Sequence, residues 1–231
     1  MTPHWQQRDV PLKFGVGDWT MFSVPVRLHV RGVRLAEREP AVADPAPPTV
    51  PELGDAKGYM MRAMPVVEAL PMFARSGGYL RYVTQQYTHC FIDLSLGAQA
   101  YRAGFSSKTR STIGRKVRKF QEHCGGALKW QTYRDAAAMR EFHGLARKVS
   151  AKSYQERLLD AGIPDADGFV AEMVRLAERD QVRGWVLFDG ERPVSYLYCP
   201  VQDGVLIYQF LGYDPEYAKH SVGTVLQWLA L

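Results

Sequence analysis

The chain has 231 residues, enough for one large domain or two small ones. No run approaches the ~18 apolar residues of a membrane span, and the opening Met1-Thr2-Pro3-His4-Trp5-Gln6-Gln7-Arg8 lacks the apolar centre of a signal peptide. Three widely spaced cysteines fit neither a disulfide framework nor a metal knuckle, so a reduced, cytoplasmic setting is expected; the net charge of +5 suits an anionic ligand.

In chain order, Phe22, Val24, Val26, Leu28 and Val30 alternate with polar residues, which predicts a strand with one apolar face. Pro25 argues for an edge position, and Gly32 for a bulge where the apolar phase moves to Val33 and Leu35. Residues 36–58 carry Pro40, Pro45, Pro47, Pro48 and Pro51 and read as an extended linker or disordered loop. Strand signals recur at Tyr59–Met64, Tyr79–Val83 and Tyr87–Leu94. Residues 1–88 are therefore expected to form a β-rich subdomain, and 89–231 the functional core.

That core opens with a short helix at Gly97–Ala103 and a basic helix capped by Ser106 or Ser107 and ended by Gly125-Gly126. Lys108, Arg110, Arg115, Lys116, Arg118 and Lys119 occur there with no acid, while Ile113, Val117 and Phe120 form an apolar stripe. A solvated face, a phosphate or acidic-substrate contact and a nucleic-acid surface all fit the charge; no nucleic-acid motif accompanies it. Helices at Asp135–Val149 and Asp165–Asp180 follow, the first carrying His143 beside its apolar stripe as a partly buried residue. Three strands come next, Arg183–Phe188, Pro193–Cys199 and Val205–Gly212, joined by Asp189-Gly190 and Asp203-Gly204 turns. The order helix, helix, helix, then three strands and a helix excludes a Rossmann reading.

The last stretch is strand, loop, helix. After Val205–Gly212 comes a polar loop with Pro215, then Ser221-Val222-Gly223-Thr224 opens an apolar helix with Ser221 as its expected N-cap. Such a start presents unpaired N–H groups and the positive end of the helix dipole to phosphate oxygens. A bulky residue at Gly223 is expected to block that approach. An ordinary capped strand-to-helix turn has the same outline.

Leu211-Gly212-Tyr213-Asp214-Pro215 followed by Ser221-Val222-Gly223-Thr224-Val225-Leu226 resembles the acyl-CoA loop of GNAT-superfamily N-acetyltransferases. The branch resembled is the CelD-like one, associated with cellulose and exopolysaccharide synthesis and related to the FemAB peptidyltransferases. It reads Gly-aromatic-Asp-Pro, a spacer, then Ser-Pro-Gly-Thr; Val222 stands where the branch usually has proline. The likeness covers roughly Phe91 to Leu231. It implies an α+β GNAT-like fold, a mixed, mostly antiparallel sheet with flanking helices. It also implies acetyl-CoA or another acyl-CoA as co-substrate, with no metal. The acyl-CoA-binding residues would be Leu211, Gly212, Tyr213, Lys219, His220, Ser221, Val222, Gly223 and Thr224. An acceptor amine or hydroxyl, sugar- or polysaccharide-related, would face Tyr154, Gln155 and Arg157 and attack the thioester directly; a polar helix start is the other reading of that cluster. A backbone N–H near Leu211 or Gly212 would polarise the carbonyl; His220, Asp214, Tyr208 and Gln209 are all open as the base. The alternatives are a FemAB-like aminoacyl-tRNA-dependent transferase, the only reading that brings RNA, and a non-catalytic binding module on the same fold; no DNA partner is expected. The family places further strands after the closing helix, so a chain stopping at Trp228-Leu229-Ala230-Leu231 is expected to be truncated.

Overall fold

A computed structural model describes residues 5–16, 19–32, 53–76, 78–88, 90–153 and 162–231. The chain divides into two compact units, Met1–Cys90 and Phe91–Leu231.

In the first unit, β1 (Gln6–Val16) and β2 (Trp19–Gly32) form a long antiparallel hairpin, and β3 (Tyr59–Arg62) adds parallel to the end of β2. Val10, Leu28 and Val30 are buried, with Val26 and Met60 packed against them. The apolar face predicted for β2 is thus covered only at its far end. Near the turn, Phe14 and Phe22 stack on each other at 4.9 Å and stay exposed. Pro25 pairs with Pro11, and β3 joins β2 only from His29 onward, so the proline blocks no third-strand ladder. The register break falls between Phe14 and Gly15, whereas Gly32 pairs with Arg62 in a continuous ladder. The Val33/Leu35 phase change and most of the proline-rich stretch lie outside the described residues.

A separate hairpin joins β4 (Phe73–Ser76) to β5 (Tyr79–Tyr82). The strand expected at Tyr87–Leu94 does not form among the described residues, where no ladder partner reaches it. Instead Asp93 caps a single 3-10 turn at Leu94–Leu96 through the Ser95 N–H.

The second unit runs α1 (Gly97–Ala103), α2 (Ser107–His123), β6 (Lys129–Tyr133), α3 (Ala136–Ser150), α4 (Asp167–Glu178), β7 (Val182–Asp189), β8 (Arg192–Gln202), β9 (Val205–Leu206), β10 (Phe210–Tyr213) and α5 (Val222–Ala230). Its antiparallel sheet has the order β10-β8-β7-β6, with β9 preceding β10 on the same edge of β8. β6 was missed by the sequence reading. Four of its five residues are exposed and their pattern is weak, so pairing with β7 defines the strand.

Side-chain alternation gives this sheet two buried faces. Trp185, Leu187, Leu197 and Cys199 meet Phe120 of α2 and Val222, Val225 and Leu226 of α5. Val186, Tyr196 and Tyr198 meet Met139 and Phe142 of α3 and Met173 of α4. Each such side chain contributes about 1.5–3 kcal/mol when fully buried. The helices begin where local chemistry allows: Ser106 Oγ accepts the Thr109 N–H at 3.1 Å, and Asp135 Oδ1 the Ala138 N–H at 2.9 Å. Gly184 lets α3 settle on the sheet, since a Cβ there would lie 2.8 Å from the Phe142 ring. Among the described residues no helix is long and apolar enough to cross a membrane.

Candidate functional site

The expected continuous strand Val205–Gly212 is broken in two. Ile207 N–H donates to Pro200 O at 2.8 Å and Gln209 N–H to Tyr198 O at 3.2 Å, whereas Phe210 also faces Tyr198. One extra residue therefore sits opposite β8, a bulge that shifts the phase of everything after it. Beyond it, Asp214 N–H donates to Val194 O at 2.9 Å. Alternation then turns the Gly212 N–H toward β8 and the Leu211 and Tyr213 N–H groups toward the outer edge of β10, which pairs with no strand among the described residues. Of the two amides proposed to polarise a carbonyl, Leu211 presents its donor and Gly212 spends its own on the ladder.

Gly212 is required for a different reason. A Cβ there would stand 2.2 Å from Tyr196 Cε1 and 2.8 Å from its hydroxyl. Ser195 Oγ donates to the Gly212 carbonyl at 2.9 Å, and the buried Tyr196 hydroxyl meets Ser150 Oγ and the Ile163 N–H, each at 3.3 Å. The strand is thereby seated on the tyrosine.

From β10 the chain enters a 3-10 turn at Pro215–His220, and α5 follows. Ser221 is the N-cap residue as expected, but it occupies the left-handed region at φ 53° and its hydroxyl makes no capping bond. With φ positive, its conformation redirects the chain and the turn before it holds the helix start. The first intrahelical bond is Val225 N–H to Ser221 O at 3.1 Å, so helix geometry leaves the N–H groups of Val222, Gly223 and Thr224 without an intrahelical acceptor. Gly223 faces inward: its Cβ would meet Leu211 Cδ2 at 3.3 Å. Bulk at that position would also press on the packing of α5 against β10.

The turn is fixed along its length. Asp214, 1% exposed, accepts from Lys152 Nζ at 3.0 Å, from Arg192, and from the Glu216 N–H at 3.1 Å. Burial pushes its carboxyl up, but the bonds from Arg192, Lys152 and the Glu216 amide outweigh this and hold it below its ordinary value. Tyr217 donates to Asp189 at 2.7 Å beneath the Arg192 guanidinium, 5.2 Å from its ring. Lys119 of α2 donates to the Lys219 carbonyl at 3.1 Å. His123, Asp189, Glu216, Tyr217, Lys219 and His220 line a cleft of about 210 Å³.

These contacts sort the candidate bases. Asp214 is a buried, ion-paired carboxylate committed to structure. His220 is 7% exposed, lies 4.4 Å from His123 between ring centroids, and has neither ring nitrogen hydrogen-bonded among the described residues. Burial, then His123, Lys219 and Lys119, push its imidazole below its ordinary value. Gln209 has no proton to exchange at neutral pH. Tyr208, at the bulge, is half exposed, and partial burial followed by Cys199 pushes its phenol up, so it holds its proton at neutral pH. Lys219 and Tyr213 are placed on this loop, whereas Tyr154, Gln155 and Arg157 lie outside the described residues. His143 donates from Nε2 to Pro164 O at 2.9 Å and is committed to holding the chain beyond α3. The described residues contain no group of three or more potential metal-ligating side chains suited to a metal ion.

The sequence reading missed Lys152 and Arg192, whose signal is purely tertiary: each is separated by many residues from the aspartate it pairs with. No curated protein matches the chain. A family model described as an acetyltransferase (GNAT) domain matches residues 107–231, more than half of the sequence, over the same sheet, bulge and helix start. The chain therefore belongs to the GNAT acetyltransferase-domain family.

Proposed function

We propose that the second unit is an acyl-CoA-dependent N-acyltransferase of the CelD-like branch, transferring an acetyl group to an amine on a sugar- or polysaccharide-related acceptor. The observation that carries this reading is the trio of backbone donors at Val222, Gly223 and Thr224, opening a helix directly beyond a bulged edge strand. Backbone donors at a helix start suit a pyrophosphate. The open edge of β10 suits a pantetheine arm, whose amides match the outward N–H and C=O groups of an unpaired strand.

In this reading the Leu211 N–H, facing that edge, stabilises the oxyanion that develops when the acceptor nitrogen attacks. Tyr208, protonated at neutral pH, donates its proton to the thiolate as the C–S bond breaks, and the resulting phenolate takes up the proton the acceptor nitrogen sheds as the amide forms. The family match and the resemblance in Leu211–Pro215 support the donor; the acceptor class rests on the branch resemblance alone.

Acetyl-CoA titration by calorimetry tests the reading, followed by an acceptor screen with labelled acetyl-CoA. Micromolar binding with label transferred to an amino sugar is expected. Binding of tRNA without acetyl-CoA would establish the aminoacyl-transferase alternative, and binding of neither would leave a non-catalytic module.

A further inference from the structure

We propose that Asp214 is a positioning residue for the acyl-CoA loop, and that Lys152 couples the end of α3 to that loop through it. The inference rests on the acyl-CoA reading above and assigns how its phosphate site is held in shape.

Ser221 supplies no capping bond, so the direction of α5 is set by what holds the turn preceding it. Asp214 begins that turn. One carboxylate oxygen accepts the Glu216 N–H at 3.1 Å, while the other accepts both Lys152, 3.0 Å away, and Arg192. Its own carbonyl accepts the Tyr217 N–H at 2.9 Å and its own N–H joins the β8 ladder. A single buried side chain thus ties three parts of the unit together: the loop, the start of β8 and the end of α3. The carboxylate is 2% exposed, whereas Lys152 and Arg192 are 49% and 41% exposed. The two cations reach inward from solvent to a fixed anion. Losing the anion frees Lys152 and leaves Arg192 on Glu216 alone, while losing Lys152 alone leaves Arg192 on both carboxylates.

Asp214→Asn keeps the size and the acceptor for the Glu216 N–H but removes the charge that holds Lys152 and that Arg192 shares with Glu216. Affinity for CoA is expected to fall tenfold or more. Affinity for acetyl-pantetheine, which lacks the pyrophosphate, should change less than threefold. At saturating acetyl-CoA, the turnover rate should likewise change less than threefold. Lys152→Met, at a half-exposed position, should weaken CoA binding about three- to fivefold, and Asp214→Asn/Lys152→Met should be no weaker than Asp214→Asn alone.

A readout free of ligand separates this proposal from the acyl-CoA reading. In the protein without ligand, hydrogen exchange at the Val225 and Leu226 amides should speed up in both variants, while amides of β7 stay protected. If the wild-type protein binds no acyl-CoA but exchange still rises, the acyl-CoA reading fails and the positioning role stands. Unchanged exchange in both variants would overturn the positioning role, whatever binds. Equal weakening of CoA and acetyl-pantetheine, or a loss of turnover at unaltered affinity, would also overturn it.

Discussion

Gly212→Ala isolates the seat of the edge strand. The added methyl would sit 2.2, 2.7 and 2.8 Å from Cε1, Cζ and the hydroxyl oxygen of Tyr196, each well inside contact distance. Tyr196 is 1% exposed, packs against Phe142 and bonds at its far end to Ser150, so the ring has little room to retreat. Overpacking of this kind costs about 1–3 kcal/mol, and the closeness of three ring atoms places it near 3. For a unit of this size that lowers Tm by about 6–12 °C. Full-chain thermal unfolding, followed on the transition that acetyl-CoA raises, measures it. Tyr196→Ala alone should cost about 3–5 kcal/mol through the cavity it leaves. In the double variant the new methyl enters that cavity, so Gly212→Ala/Tyr196→Ala should be no less stable than Tyr196→Ala. Unaltered stability in Gly212→Ala, or additive costs in the double variant, would refute the reasoning.

Other expectations follow from the same contacts. His220 is held below its ordinary value of 6.5, so the unfolded chain takes up its proton first. Stability from the neutral imidazole is intact above about pH 6.5 and declines as pH falls below it, and His220→Gln should flatten the decline measured by urea unfolding between pH 7 and 5. Lys119→Met, which loses the bond to the Lys219 carbonyl, should weaken acetyl-CoA binding about fivefold in calorimetry at high as well as low salt. Arg115→Glu, on the exposed face of α2, should weaken it only at low salt; a loss that persists in high salt would indicate direct contact. Burial pushes the Cys124 and Cys199 thiols up to about 11 and about 12, whereas Cys90 is exposed. A thiol reagent at pH 7.5 should therefore label Cys90 rapidly and the other two only on denaturation.

Much of the second unit was legible because its local signals and its burial agree. Ser106 and Asp135 sit at real helix starts, and the Asp189-Gly190 and Asp203-Gly204 turns separate strands whose apolar runs are the core. β6 escaped because its exposed, mostly polar residues are defined only by pairing with β7. The run Tyr87–Leu94, expected as a strand, is the converse: β-prone by composition, it joins no ladder among the described residues. At the site, the helix start and its glycine were readable, but the role of each was not. Ser221 looked like a cap by residue type, yet its left-handed backbone turns the hydroxyl away from that duty. Asp214 looked like a possible base, and only the long-range approach of Lys152 and Arg192 shows that its charge is already used. The bulge at Gln209–Phe210 has no glycine or proline to announce it and follows from how β8 is spanned.

The central claim is that acyl-CoA lies along β10 with its phosphates on the first turn of α5. Amide chemical shifts recorded during an acetyl-CoA titration test it most directly. The account predicts the largest shifts at Leu211, Tyr213, Val222, Gly223 and Thr224, with those of Val222–Thr224 absent when acetyl-pantetheine replaces acetyl-CoA. Saturable binding of acetyl-CoA that leaves these amides unmoved would contradict it.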